Sequence, residues 1–389
     1  MVSTRAARPL QALLLVLASL AVCAIALELS LRLFWGGFYR KYDPERPWGE
    51  FEFHPTRGFA LARSVEMVDW DADFQVVRRH NSRGFRSPEI PLAKPEGRVR
   101  VLAVGDSMVY GLGVENDEAF PAVIEQLEPT LQVINAGVPA YSGAEELVQI
   151  REEIGVLRPD VVLVAYFWND LFGAYPGRYA RFELRGGSLV EIPPEPASPR
   201  HPTFDDYWRR HQRMTRRYNA VTENSYAYRF LSDRFKVLRY ASREWRQQLA
   251  RRWEAEPDVA AAPEPRADEE AAWALSLALL AEMARVADAH DVKLAILIVP
   301  DSVQVEPDTT VYGVPEYLWD VQARVGDFAR ARGIPVIDPL PALREIRQRE
   351  GEPHYHPTDR HWNALGHRHV AEIILAELRR LGWTAAPAG

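Results

Sequence analysis

The sequence predicts an α/β protein: a three-layer α/β/α sandwich built on a five-stranded parallel sheet, with a helical insertion and an apolar N-terminal helix. Three observations predict it. Short apolar runs alternate with longer helical stretches, an Arg- and aromatic-rich segment interrupts that alternation, and one uncharged run opens the chain. Strands of a parallel sheet are covered on both faces, so they read as continuous apolar runs rather than alternating ones. Such runs occupy 99–104, 131–135, 161–167, 292–299 and 334–337. Helical stretches occupy 119–127, 144–156, 268–290, 316–331 and 364–381. Five strands in this arrangement suit a doubly wound, flavodoxin-like sheet.

The elements divide the chain in order. From Pro9 to Leu27 no residue is charged, which is about the length that spans a bilayer. Arg5 and Arg8 precede the run, as a positive-inside segment requires, although Arg32, Arg40 and Lys41 follow it. The expectation is a transmembrane anchor over 1–35 and a single-pass membrane protein whose remaining chain is exported to the periplasmic or extracytoplasmic side. A cleaved signal peptide is the alternative, since Ala24-Ile25-Ala26 resembles a small-residue cleavage site. Residues 36–97 read as a stalk or lead-in that packs on the domain, with a turn at Asn81-Ser82-Arg83-Gly84 that sets Gly84 at a special backbone angle. The main domain is expected over 98–384. Its insertion, about 171–267, shows no sheet strand and collects Tyr207, Trp208, Tyr218, Tyr226, Tyr228, Phe230, Phe235, Tyr240, Trp245 and Trp253.

Composition narrows the function classes. A formal net charge of −7 argues against a general nucleic-acid binder. The one cysteine, Cys23, lies in the apolar run, so neither disulfides nor a cysteine zinc site can organise the fold.

Four short blocks carry residue types suited to chemistry, three of them directly after expected strands, where open α/β sheets bind ligands. Gly105-Asp106-Ser107 puts a serine hydroxyl and its backbone N–H on a strand-to-helix turn; taken alone, the tripeptide reads equally as a helix cap. Asn135-Ala136-Gly137 offers a glycine whose backbone can approach a ligand, or simply a turn. Trp168-Asn169-Asp170 offers a side-chain N–H from Asn169, or an Asx-type turn. The loop from His354 to Asn363 holds His354, His356, Asp359 and His361. Asp359 and His361 suit the orienter and base that a serine nucleophile needs; a metal site built from the His/Asp cluster is the competing reading. Together the four blocks supply nucleophile, oxyanion donors, base and orienter, the full set for acyl transfer.

In these blocks the chain resembles the SGNH (GDSL-like) hydrolase superfamily from roughly Arg98 to Trp383, and the stretch Asp-Arg-His-Trp-Asn-Ala-Leu-Gly-His is similar to membrane-anchored bacterial members and to relatives that handle acetyl groups on exopolysaccharides. The resemblance implies an oxyanion hole from the Ser107 and Gly137 N–H groups and the Asn169 side chain, with His361 as base and Asp359 as its orienter. Three features depart from the family pattern: Met108 stands for the usual Leu, Phe167 for a frequent Gly, and the last block is Asp-x-His rather than Asp-x-x-His. The expected activity is a cofactor-free serine esterase acting on an ester-bearing small molecule, lipid or glycan. The alternatives are an O-acetyltransferase of envelope polysaccharide and a catalytically silent glycan-binding module. A base held more than one bridging water from Ser107 would mark the silent module.

Overall fold

The computed structural model describes residues 7–34, 50–71, 73–173, 181–192, 225–228, 230–232, 234–235, 238, 267–306 and 316–384. The chain opens with α1 (Ala7–Phe34), a helix of 28 residues in which 14–34 is long and apolar enough to cross a membrane. The lead-in forms two antiparallel hairpins, β1 (Phe51–His54) with β2 (Gly58–Leu61) and β3 (Glu66–Trp70) with β4 (Gln75–Arg79). Gly84 takes φ +84°, and a Cβ there would lie 2.5 Å from the Leu61 carbonyl oxygen, so the expected turn admits glycine alone.

The main domain follows. It comprises β5 (Val99–Val104), α2 (Ser107–Tyr110), α3 (Phe120–Leu127), β6 (Leu131–Asn135), α4 (Gly143–Leu157), β7 (Val161–Tyr166) and α5 (Asp170–Gly173). After the hairpin of β8 (Arg181–Arg185) and β9 (Ser188–Ile192) come α6 (Ala267–Asp288), β10 (Lys293–Ile298) and α7 (Ser302–Val305). A 3₁₀ turn (Glu316–Asp320) leads into α8 (Val321–Arg330), then β11 (Val336–Ile337), α9 (Leu340–Glu350) and α10 (Ala364–Arg380). The central sheet has the order β11-β10-β7-β5-β6 and every pairing in it is parallel. This is the 2-1-3-4-5 order of the flavodoxin-like sheet, whose direction of winding reverses between β5 and β7.

Side chains alternate along β5 to build two cores. Leu102 and Val104 face α4, α6 and α8 with Leu147, Ile150, Met283 and Val325, whereas Val101 and Ala103 face α3 and α10 with Phe120, Ile124, Val370 and Ile374. The residue pattern therefore places β5 and β7 in the middle of the sheet, with their carboxyl ends side by side.

The insertion needs one correction. Among its described residues none belongs to the central sheet, but they include β8 and β9, joined by Gly186 (φ 58°) and Gly187 (φ 81°), the positive-φ pair a tight hairpin requires. Phe182 and Leu189 from this hairpin pack on the α4/α6 core. Of the aromatic residues expected there, Tyr207, Trp208, Tyr218, Tyr240, Trp245 and Trp253 lie outside the described residues.

Candidate active site

Three loops at the carboxyl edge of the sheet converge. Ser107 opens α2 directly after β5, and its N–H, as the first of a helix, has no intrahelical acceptor. The hydroxyl lies 2.7 Å from His361 Nε2, and His361 Nδ1 lies 2.6 Å from Asp359 Oδ1. With both ring nitrogens so engaged, the neutral imidazole that suits this chain carries its proton on Nδ1, donated to Asp359, and accepts the serine hydroxyl at Nε2. Burial raises the Asp359 carboxyl, but hydrogen bonds from the His361 ring and backbone N–H outweigh it and hold the group below its ordinary range. His361 Nε2 is in direct contact with the Ser107 hydroxyl, so the separation expected of a silent module is not met.

The short Asp-x-His spacing is accommodated by the residue between the pair. Arg360 adopts φ 73°, in the left-handed region, which costs about 1–2 kcal/mol for a non-glycine residue. The loop repays it with Arg360 N–H to the His356 carbonyl at 3.0 Å and His356 N–H to the His361 carbonyl at 2.8 Å. The Arg360 guanidinium is fastened to Asp301, which caps α7 in the loop after β10, and Asp301 also accepts the Trp168 indole N–H at 2.8 Å. On the other side, Asp73 of the lead-in accepts the backbone N–H groups of Thr358 and Asp359 at 2.6 and 2.8 Å, together with the Thr358 hydroxyl. Sequence reasoning missed both Asp73 and Asp301. Asp73 sits in a turn with no signature of its own; Asp301 was legible only as a cap after a strand.

The candidate oxyanion donors differ among themselves. A Cβ at Gly137 would lie 2.3 Å from the Tyr110 backbone nitrogen, so close packing on α2 demands glycine. Its N–H, however, donates to Asn135 Oδ1 at 3.1 Å. One N–H of the Asn169 amide donates to Asp106 Oδ2 at 2.8 Å, while Asp106 Oδ1 accepts the Met108 N–H at 2.9 Å. The amide's second N–H could serve as a donor to a bound ligand. Asp106 is buried, and burial raises its carboxyl despite those two donors. It ties the serine block to the asparagine block, a role the sequence did not reveal. Asn169→Ala is expected to lower kcat on p-nitrophenyl acetate by roughly 10²–10³ with little change in KM. Asp106→Asn, which turns one acceptor into a donor facing the Asn169 amide, is expected to lower both kcat and thermal stability. Steady-state kinetics and thermal melts of the two variants check both statements.

The departures from the family pattern are structurally mild. Met108 is buried in the α3/α10 core, where a Leu-to-Met exchange nearly conserves volume. Phe167 keeps the turn into α5 through its own N–H, which donates to Asp170 Oδ2 at 2.7 Å.

The histidines do not converge as metal ligands. His354 Nε2 meets His369 Nδ1 at 3.0 Å, His356 Nε2 meets the Gly113 carbonyl at 3.1 Å, and His361 is engaged with Ser107 and Asp359. Burial, with His369 and Arg347 nearby, holds His354 down to about 4 from its ordinary 6.5. Burial with Arg57 and Arg63 does the same for His54, also to about 4. Between pH 6.5 and 4 the unfolded chain therefore binds protons that the folded chain refuses, and stability rises with pH across that window. The melting temperature is expected to fall on acidification from pH 6.5 to 4, and less steeply in His354→Gln. A pH series of thermal melts measures it.

Residues 259–388 match the family described as SGNH hydrolase-like domain, acetyltransferase AlgX. That span contains Asp359 and His361 but not Ser107, Gly137 or Asn169. No curated protein matches the chain. Among solved structures, a member of the lipolytic G-D-S-L family from Veillonella parvula DSM 2008 is similar at 12% identity and TM-score 0.39, over 72% of this chain and 99% of its own. The lipase/acylhydrolase from Enterococcus faecalis is similar at 12% identity and TM-score 0.39, over 75% and 99%. A putative acylhydrolase from Bacteroides fragilis NCTC 9343 is similar at 12% and 0.38, over 76% and 91%. Over residues 259–388, which hold Asp359 and His361, the chain is thus similar to an SGNH hydrolase-like domain, and the flavodoxin-like sheet lies beneath all four motif blocks.

Proposed function

We propose that the chain is a membrane-tethered serine esterase in which Ser107, His361 and Asp359 act as nucleophile, base and orienter. The observation that carries this reading is the unbroken hydrogen-bonded chain from the Ser107 hydroxyl through both His361 nitrogens to Asp359. His361 takes the Ser107 proton as the oxygen attacks an ester carbonyl. The tetrahedral oxyanion is held by the Ser107 N–H and the Asn169 amide, with the Gly137 N–H joining once it is released by or shared with Asn135. Each such donor is worth roughly 3 kcal/mol of barrier lowering. His361 then protonates the leaving alcohol, and a water that it activates releases the acid. No step calls for a cofactor.

A second reading is favoured by the name of the matching family, an acetyltransferase. The same acyl-serine would then pass its acetyl group to a sugar hydroxyl of an envelope polysaccharide instead of water. In both readings α1 is an uncleaved anchor, Arg5 and Arg8 stay inside, and the domain works on the exported side on an ester-bearing small molecule, lipid or glycan. The test is a fluorophosphonate probe on wild type beside product analysis of p-nitrophenyl acetate turnover with and without an added oligosaccharide. Labelling with free acetate as the product supports the esterase. Labelling with acetylated sugar supports the transferase, and a folded wild type that resists the probe overturns both.

A further inference from the structure

The anchor and the insertion meet at a point that neither the fold nor the proposed chemistry requires. Glu28 stands one residue beyond the uncharged run, which places it where a helix crossing a bilayer leaves the hydrocarbon. Its carboxylate accepts the Tyr226 and Ala227 N–H groups at 3.2 and 2.8 Å and the Ser225 hydroxyl at 3.0 Å. Residues 226–228, 230–232, 234–235 and 238 are helical, so Glu28 caps the start of a helix in the insertion, where a negative charge meets the unpaired N–H groups. Arg32, one turn on in α1, pairs with Glu28 at 2.7 Å and lies over the Tyr226 ring at 4.9 Å. Leu31 between them is only 3% exposed, although α1 around it is open.

Beyond this junction the insertion helix carries Tyr228, Leu231, Phe235 and Leu238, which are 39–66% exposed. Their 3-4-3 spacing sets them on one stripe, the arrangement of a helix lying along an apolar surface. The neighbouring apolar residues on α1, Leu29, Leu33 and Phe34, are exposed as well. Arg234 is exposed beside the stripe, and the sequence of the same stretch is basic in balance, with Arg229, Lys236 and Arg239 against Asp233, a composition suited to anionic lipid headgroups.

We propose that this helix lies in the interfacial layer of the same bilayer that α1 crosses, held there by the Glu28 cap, with Leu231, Phe235 and Leu238 in contact with lipid. The occupant is lipid rather than a second protein surface, because the stripe starts where the anchor emerges. The Glu28 contacts also imply that α1 stays in the mature protein. The inference rests on α1 crossing the bilayer and not on the reaction at Ser107.

The test uses the full chain in a Cys23→Ser background, reconstituted in phosphatidylethanolamine/phosphatidylglycerol vesicles. Leu231→Cys, Phe235→Cys and Leu238→Cys are labelled singly with an environment-sensitive fluorophore, and Leu92→Cys, on an exposed loop of the lead-in, serves as reference. The expected result is blue-shifted emission at the three positions, quenched by nitroxide-labelled lipid several-fold more than at Leu92 of the lead-in, and loss of that excess in Glu28→Ala. Emission like that at Leu92 would overturn the proposal, as would emission shielded from water but untouched by the nitroxide, which marks a protein-covered face. An intact mass lacking residues 1–26 would overturn it too.

Discussion

Ser107→Ala is expected to abolish fluorophosphonate labelling and to lower kcat on p-nitrophenyl acetate by about 10⁴–10⁶, leaving the melting temperature close to wild type. The magnitude follows from the geometry. The His361 ring has one partner at each nitrogen, Ser107 at 2.7 Å and Asp359 at 2.6 Å, so removing the hydroxyl leaves a base with no proton to move. Residual turnover then reflects only the oxyanion donors and binding. Stability is spared because Ser107 is only partly buried and its backbone capping interactions belong to Asp106, which is unchanged. Kinetics and a thermal melt on the same preparation separate this outcome from misfolding.

Asp359→Asn is expected to lower kcat by about 10⁴ while leaving probe affinity nearly intact. An amide at 359 favours the imidazole tautomer with its proton on Nε2, which turns a donor rather than an acceptor towards Ser107. The variant also tests a linkage. The folded-state carboxyl of Asp359 titrates below its unfolded value, so its ionised form contributes stability that is fully present above that unfolded value and is lost as pH falls through the folded one. Asp359→Asn should therefore be less stable than wild type at neutral pH and lose less on acidification in the carboxylate range. Equal acid profiles for the two proteins would show that the His361 contact does not stabilise the carboxylate.

The sheet and the motif blocks were legible because the strands obey one simple rule. The expected runs at 99–104 and 131–135 coincide with β5 and β6, and 161–167 exceeds β7 by one residue, since a strand covered on both faces has to be apolar throughout. The lead-in hairpins escaped for the opposite reason. In β4 the buried residues are Val76 and Arg78, and Arg78 is buried because Glu50 and Asp69 pair with it, which no hydrophobic pattern can signal. The helix α9 escaped as well, since it buries only Leu340 and Leu343. At the candidate site, residue type and order singled out Ser107, Asp359 and His361, which the fold brings into contact. The engagement of the Gly137 N–H by Asn135, the Asp106–Asn169 contact and the support from Asp73 depend on partners distant in sequence or on side-chain rotamers, and only coordinates supply them.

The hold of Asp73 on Thr358 and Asp359 has a consequence for where the catalytic unit begins. A fragment cut at the first strand of the sheet would keep every residue of the triad and yet lose the outer brace of the loop that aligns two of them. The lead-in thus belongs with the candidate site, because its Asp73 fixes the backbone of the loop that carries Asp359 and His361.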